Sequence, residues 1–204
     1  GVVTLSGKTM LMRHTDTRLT LGGVSWLANR AFTSRFTIRS HKLGKNRARF
    51  LMQYNGIATQ VDLAGSSNLR MQDLDMSANY KRGVDGTTDY AIRVDGDVPN
   101  LEFDGCKMEG DLVALESGPH FRGFIGGDGS CRYSGNGITV TNCEISGLSR
   151  ALNLGGGGRK TILRVRISDI GNDGIMIGNS AKFGITDHSF SVTECEFIDP
   201  FIDT

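Results

Sequence analysis

The stretch Gly137-Ile138-Thr139-Val140-Thr141-Asn142-Cys143-Glu144-Ile145-Ser146-Gly147 decides the fold. Its apolar side chains fall at Ile138, Val140, Cys143 and Ile145, an alternation of period two broken by one skip. That period marks a half-buried strand, and the skip marks a bend after which the strand continues. The template recurs at Leu69, Met71, Leu74 and Met76, at Leu101, Phe103, Cys106 and Met108, and at Phe190, Val192, Cys195 and Phe197. Phe36, Ile38, His41 and Leu43 fit it with a histidine in the third slot. Val165 and Ile167 supply the second half of a further copy, with Leu163 standing imperfectly in the slot before. Copies of one unit, about six here, predict a solenoid whose units stack to bury a core that none buries alone.

The third slots at 41, 74, 106, 143, 165 and 195 are unevenly spaced. Variable loops between short strands fit a parallel β-helix, whereas equal short spacings would suggest propeller hairpins. No amphipathic helix is read, and the connections are shorter than the helical crossovers of about a dozen residues that βαβ units need. The expected fold class is all-β, a single-stranded parallel β-helix of about six coils. Residues 1–30 read as lead-in and capping strands, with Trp26 as a packing plug, and residues 31–204 as the β-helix. Gly1 to Leu5 already reads as a strand, and Phe201 to Thr204 follow a repeat at once, so the domain is expected to continue in a longer parent chain.

The composition, 38% hydrophobic with 28 Gly and 3 Pro among 204 residues, suits a turn-rich β protein rather than a disordered one. No apolar run approaches a membrane span, so membrane insertion is not expected. The formal charge of +1 hides a gradient. Arg30, Arg35, Arg39, Lys42, Lys45, Arg47 and Arg49 crowd one segment, and acids dominate from Asp85 to Glu116. The basic segment has few interleaved aromatics, and Phe36 and Phe50 belong to the apolar pattern, so no nucleic-acid partner is expected.

Cys106, Cys143 and Cys195 share the third slot, where other copies carry Leu74 and Val165, and are expected as reduced core thiols. No metal site is expected, since zinc-type spacing is missing. GGGGRKT at 155–161 lacks the spacing and the following helix of a phosphate loop, and no cofactor is expected. The residue after each third slot reads Lys42, Asp75, Lys107, Glu144, Arg166 and Glu196, alternating strictly in sign. In-register stacking would set each charge beside opposite ones, so this column reads as scaffold.

The copies GITVTNCEISGLSRALNLGG (137–156) and ILRVRISDIGNDGIMIG (162–178) resemble the repeats of right-handed parallel β-helix proteins, the pectate-lyase-like superfamily. In character the chain is similar to the β-helix domains of bacteriophage tailspikes and tail fibres. The resemblance implies a virion segment that recognises, and in some members degrades, host cell-surface polysaccharide, in association with other fibre subunits and as a homotrimer. It equally accommodates a secreted bacterial polysaccharide lyase, hydrolase or epimerase, and a non-catalytic structural or adhesive solenoid. A virion or extracellular location goes with these readings.

Glycosidases of this architecture need two carboxylates roughly 5–9.5 Å apart. Glu102 and Asp104, two apart on one strand face at about 7 Å, are the best pair in the chain. Their roles divide between catalysis, sugar contact and ordinary strand polarity. Arg70, a candidate ligand contact, and Gln72 are expected on the preceding coil, Thr139 and Thr141 on the following one. His120 and Arg122 open the long irregular segment 118–136 and are candidate ligand contacts, because function concentrates on loops carried by a rigid frame. His41 is expected to be buried and hydrogen-bonded, and Asn172-Asp173-Gly174 to form a tight turn.

Overall fold

The computed structural model describes residues 5–14, 19–21, 27–43, 46–52, 61–79, 90–111, 123–127, 136–155, 158–177 and 188–198. Within them the chain is all-β, without helices, and every strand pairing is parallel. One sheet runs, in spatial order, through β1 (Thr9–Met12), β3 (Ala31–Ser40), β6 (Ser67–Gln72), β9 (Leu101–Asp104), β12 (Asn136–Thr141), β14 (Gly158–Leu163) and β16 (His188–Thr193). The second contains β2 (Leu19–Leu21), β4 (Ala48–Met52), β7 (Leu74–Asn79), β10 (Lys107–Asp111), β13 (Glu144–Leu154), β15 (Arg166–Ile177) and β17 (Glu196–Ile198). The far halves of β13 and β15 extend this sheet to β11 (Gly123–Gly127), β8 (Tyr90–Arg93) and β5 (Val61–Asp62).

Register stacks like slots on like. Met10, Ile38, Met71, Phe103, Val140, Ile162 and Val192 form one continuous inward column. Phe50, Met76, Met108, Ile145, Ile167 and Phe197 form another. Interior members such as Phe103, Val140, Met108 and Ile145 are buried, and their area removed from water, at about 25 cal/mol per Å², is the main stabilising term. In the last copy the same slots are open, with Phe190 66%, Val192 41% and Phe197 57% exposed.

The skip in the template is a left-handed bend. Asp73, Gly105, Asn142, Arg164 and Glu194 all sit there with φ between 51° and 65°. Asp, Asn and Gly tolerate that region; Arg and Glu do so at a cost. Arg164 is held by a bond from its Nε to Asn142 Oδ1 (2.8 Å) and an ion pair to Glu194 (3.7 Å). Backbone bonds run on through the bend: Gly105 N donates to Thr141 O (2.9 Å) and Asn142 N to Leu163 O (3.0 Å).

Four expectations are corrected. In the first copy the third and fourth slots are Ala48 and Phe50, paired with Leu74 and Met76. His41 and Leu43 belong instead to an inserted corner and are exposed. The first rung of the charge column is accordingly Arg49, 3.5 Å from Asp75, and not Lys42. The alternation survives, because Arg49, Asp75, Lys107, Glu144, Arg166 and Glu196 are neighbours in that order. In the fifth copy the first two slots are Lys160 and Ile162, aligned with Ile138 and Val140, while Leu163 faces outward with Thr141. Lys160 is 2% exposed, and burial lowers the pKa of its ammonium. Asn172 to Gly174 lie inside β15, where one extra residue against β13 makes a bulge rather than a turn.

The cysteines occupy the expected column. Cys106 and Cys143 are buried neighbours and all three described cysteines are unbridged. A hydrogen bond with the Cys106 thiol, together with burial, pushes the Cys143 thiol well above its ordinary pKa, so it stays neutral and inert.

Candidate functional site

The outward side of β6, β9 and β12 carries the most connected polar cluster among the described residues. Alternation turns Arg70 and Gln72, Glu102 and Asp104, and Thr139 and Thr141 away from the core. Register then places Arg70 beside Glu102 beside Thr139, and Gln72 beside Asp104 beside Thr141. The anticipated neighbours of the carboxylates are therefore in place.

Asp104 is the hub. Its Oδ2 accepts from Arg70 (2.5 Å) and Gln72 Nε2 (3.0 Å), and its Oδ1 from Thr141 Oγ1 (3.1 Å) and Asn142 Nδ2 (2.8 Å). Burial alone would raise the pKa of this carboxyl, but the bonds from Asn142, Arg70 and Thr141 outweigh it and hold the group below the usual carboxylate range. A carboxylate offers about four acceptor sites, and these four donors fill them. Asp104 is therefore ionised and saturated: it has no proton to give as a general acid and no free lone pair with which to take one.

Glu102 differs. It receives Arg35 on Oε2 (2.7 Å) and lies 3.3 Å from Arg70 Nε through Oε1, which leaves acceptor capacity toward solvent and Thr139. Arg35, one residue ahead of the first slot, was not anticipated; the alternation that turns Thr37 outward extends back to it. Asn142 was missed too, since its reach to Asp104 depends on the left-handed bend. The two carboxylates share Arg70, so the pair is a braced polar plate, 17% and 15% exposed at Glu102 and Asp104. It can accept and donate hydrogen bonds to a polyhydroxyl ligand, chiefly through Glu102, Arg35, Thr139 and Gln72.

Further polar residues continue both columns. Thr161 and Ser191 follow Thr139, and Thr193 follows Leu163 beyond Thr141. Elsewhere Arg93 pairs with Asp95 and lies 4.0 Å from Asp62. Tyr90 is buried against Gly123 and Gly126, where any Cβ would strike its ring, and its hydroxyl accepts from Asn153. His14 Nδ1 lies 2.8 Å from Arg47 O, and His41 is exposed. No group of His, Cys, Asp and Glu suited to a metal occurs among the described residues. His120, Arg122 and Trp26 lie outside the described residues. No protein-family model matches the chain, and no curated protein or solved structure matches it at a significant level.

Proposed function

We propose that this chain is a repeat module of a right-handed parallel β-helix from a bacteriophage tail spike, tail fibre or similar virion fibre. Its outward plate around Glu102 recognises a host-surface polysaccharide. The observation that carries this reading is the braced cluster of Arg35, Arg70, Gln72, Glu102, Asp104 and Thr141 on one face of a parallel sheet. Hydroxyl groups of successive sugars meet acceptors and donors repeated at about 4.8 Å, the interval between neighbouring strands. The four donors on Asp104 favour recognition over hydrolysis at this plate, since glycoside hydrolysis calls on two carboxyl groups and here only Glu102 keeps open acceptor capacity.

The test is binding to a panel of capsular and lipopolysaccharide-derived glycans, read by co-sedimentation and by titration calorimetry. Glu102→Gln and Arg35→Ala are expected to abolish binding to the glycan that the parent protein takes, with melting temperature nearly unchanged. Release of reducing ends, or of unsaturated uronate absorbing near 232 nm, would move the reading to a polysaccharide hydrolase or lyase. Absence of binding across the panel would leave a structural or adhesive solenoid.

A further inference from the structure

The outward faces of β3, β6, β9 and β12 do not balance in charge. β3 contributes Arg35, Thr37 and Arg39, β6 Arg70 and Gln72, β9 Glu102 and Asp104, and β12 Thr139 and Thr141. Both carboxylates are engaged: Arg35 and Arg70 hold Glu102, and Arg70 with Gln72, Thr141 and Asn142 fills Asp104. Arg39 is left over. Register sets it between Leu11 on β1 and Gln72 on β6, so neither lateral neighbour is an acid. Its hydrogen bond from Nη1 to Ser40 O is long, at 3.4 Å. A guanidinium carries five N–H donors, and one weak bond to a neutral carbonyl leaves most of them unused. The chain beyond this strand repeats the sign. His41 and Lys42 are exposed on the inserted corner, and a bond from His41 N to Met12 O (2.7 Å) sets that corner against the end of β1, next to exposed Arg13. Among the described residues no carboxylate pairs with Arg13, Arg39 or Lys42, and Asp73 below the corner is taken by Arg47 (2.7 Å).

We infer that Arg39 is an anion subsite of the plate, taking a carboxylate or sulfate borne by the same glycan whose hydroxyls meet Glu102, Thr139 and Gln72. This subsite rests on the polysaccharide reading above and sharpens it to an acidic polymer. The planar fork of a guanidinium sets two N–H groups against two oxygens of one anion, a match that an ammonium lacks. Register also gives the ligand its direction. Arg39, Gln72, Asp104 and Thr141 follow one another across the strands at intervals of about 4.8 Å, so the glycan runs along the stack with its anionic sugar on the Arg39 side. An anionic sugar over Glu102 and Asp104 would meet like charge, so the sugars there are neutral. The ligand class is therefore a polymer in which acidic residues are spaced by neutral ones.

The experiment is titration calorimetry of the full chain at physiological salt. The probes are hyaluronan oligosaccharides, in which a uronate alternates with a neutral sugar, the same oligosaccharides after carboxyl reduction, and keratan sulfate oligosaccharides as the sulfate source. Binding of hyaluronan and not of its reduced form assigns a carboxylate to the subsite, and binding of keratan sulfate alone assigns a sulfate. Arg39→Gln is expected to weaken the acidic probe by about tenfold or more, with the fold retained. Arg166→Gln, which removes an exposed cation of the second sheet, is expected to change nothing. Equal losses in the two variants, or a DNA duplex held as tightly as the glycan, would mean diffuse attraction of a polyanion and overturn the inference. A folded chain that binds none of the probes overturns it too. Native and reduced hyaluronan bound equally, and both lost in Glu102→Gln, would overturn the subsite and leave the polysaccharide reading standing. An acidic probe lost in Arg39→Gln but unchanged in Glu102→Gln would keep the anion at Arg39 and overturn the role given to the plate.

Discussion

The third and sixth copies carry one pattern in two environments. Leu101, Phe103, Cys106 and Met108 are buried between neighbours on both sides, whereas Phe190, Val192 and Phe197 occupy the equivalent slots with a described neighbour on one side only and stand open. The pattern decides which way each side chain turns, and stacking decides whether turning inward removes it from water. Hydrophobic stabilisation in this chain is thus a property of adjacent copies rather than of any copy alone.

Paired substitutions can break this contrast. The largest effect is expected from Val140→Asp, which buries an unpaired charge between Phe103 and Ile162. It should abolish the cooperative melt, whereas Val192→Asp should lower stability by about 1 kcal/mol or less, because water reaches it. Retention of a native melt by Val140→Asp would show that the inward column is misassigned. Next, Phe103→Ala should cost about 3–5 kcal/mol in denaturant unfolding and Phe190→Ala under about 1.5. Equal costs would mean that the end copy is covered in solution.

The polar corner repeats the contrast at smaller scale. Asp104→Ala strips the partners of Arg70, Gln72, Thr141 and Asn142 and should cost about 1–3 kcal/mol, against roughly 0–1 for Glu194→Ala at the open end. Because the folded pKa of Asp104 lies below its unfolded value, its contribution is complete above the unfolded pKa and is lost as pH falls through the folded one. Asp104→Asn should therefore flatten the acid limb of the stability curve, and an unchanged limb would remove Asp104 from its hub role. Smallest is Glu144→Lys, which sets like charges beside Lys107 and Arg166. A loss of up to about 1 kcal/mol that shrinks in salt is expected, with less at Glu196→Lys.

Much of the frame was legible because period two leaves an unambiguous mark wherever both faces differ. The columns through Met71, Phe103 and Val140 follow from it directly. The first copy misled because His41 and Leu43 imitate the second half of the template while the true half, Ala48 and Phe50, lies past an insertion. Lys42 and Arg49 share a sign, so the charge column could not expose the slip. Lys160 hid the fifth copy, since a buried lysine looks like a break in an apolar pattern. The bulge at Asn172 to Gly174 reads as a turn because the same residue types favour both. At the plate, the neighbours across strands were readable from register. The saturation of Asp104 was not, because it depends on the reach of Asn142 from a left-handed bend and on one arginine shared by two acids.

The inserted corner of the first copy has a practical consequence. The chain leaves the first sheet at Ser40 and enters the second at Ala48 without disturbing the pairings Phe36 with Leu69 or Phe50 with Met76. Ser40 closes the neck: its hydroxyl donates to Asp73 O and accepts from Ala48 N (2.7 Å), and Arg47 is tied to Asp73 (2.7 Å). A segment clamped at its base in this way is a graft point. Foreign peptides inserted between Ser40 and Arg47 would leave and enter the frame at fixed points, while Ser40, Arg47 and Asp73 keep the splice closed.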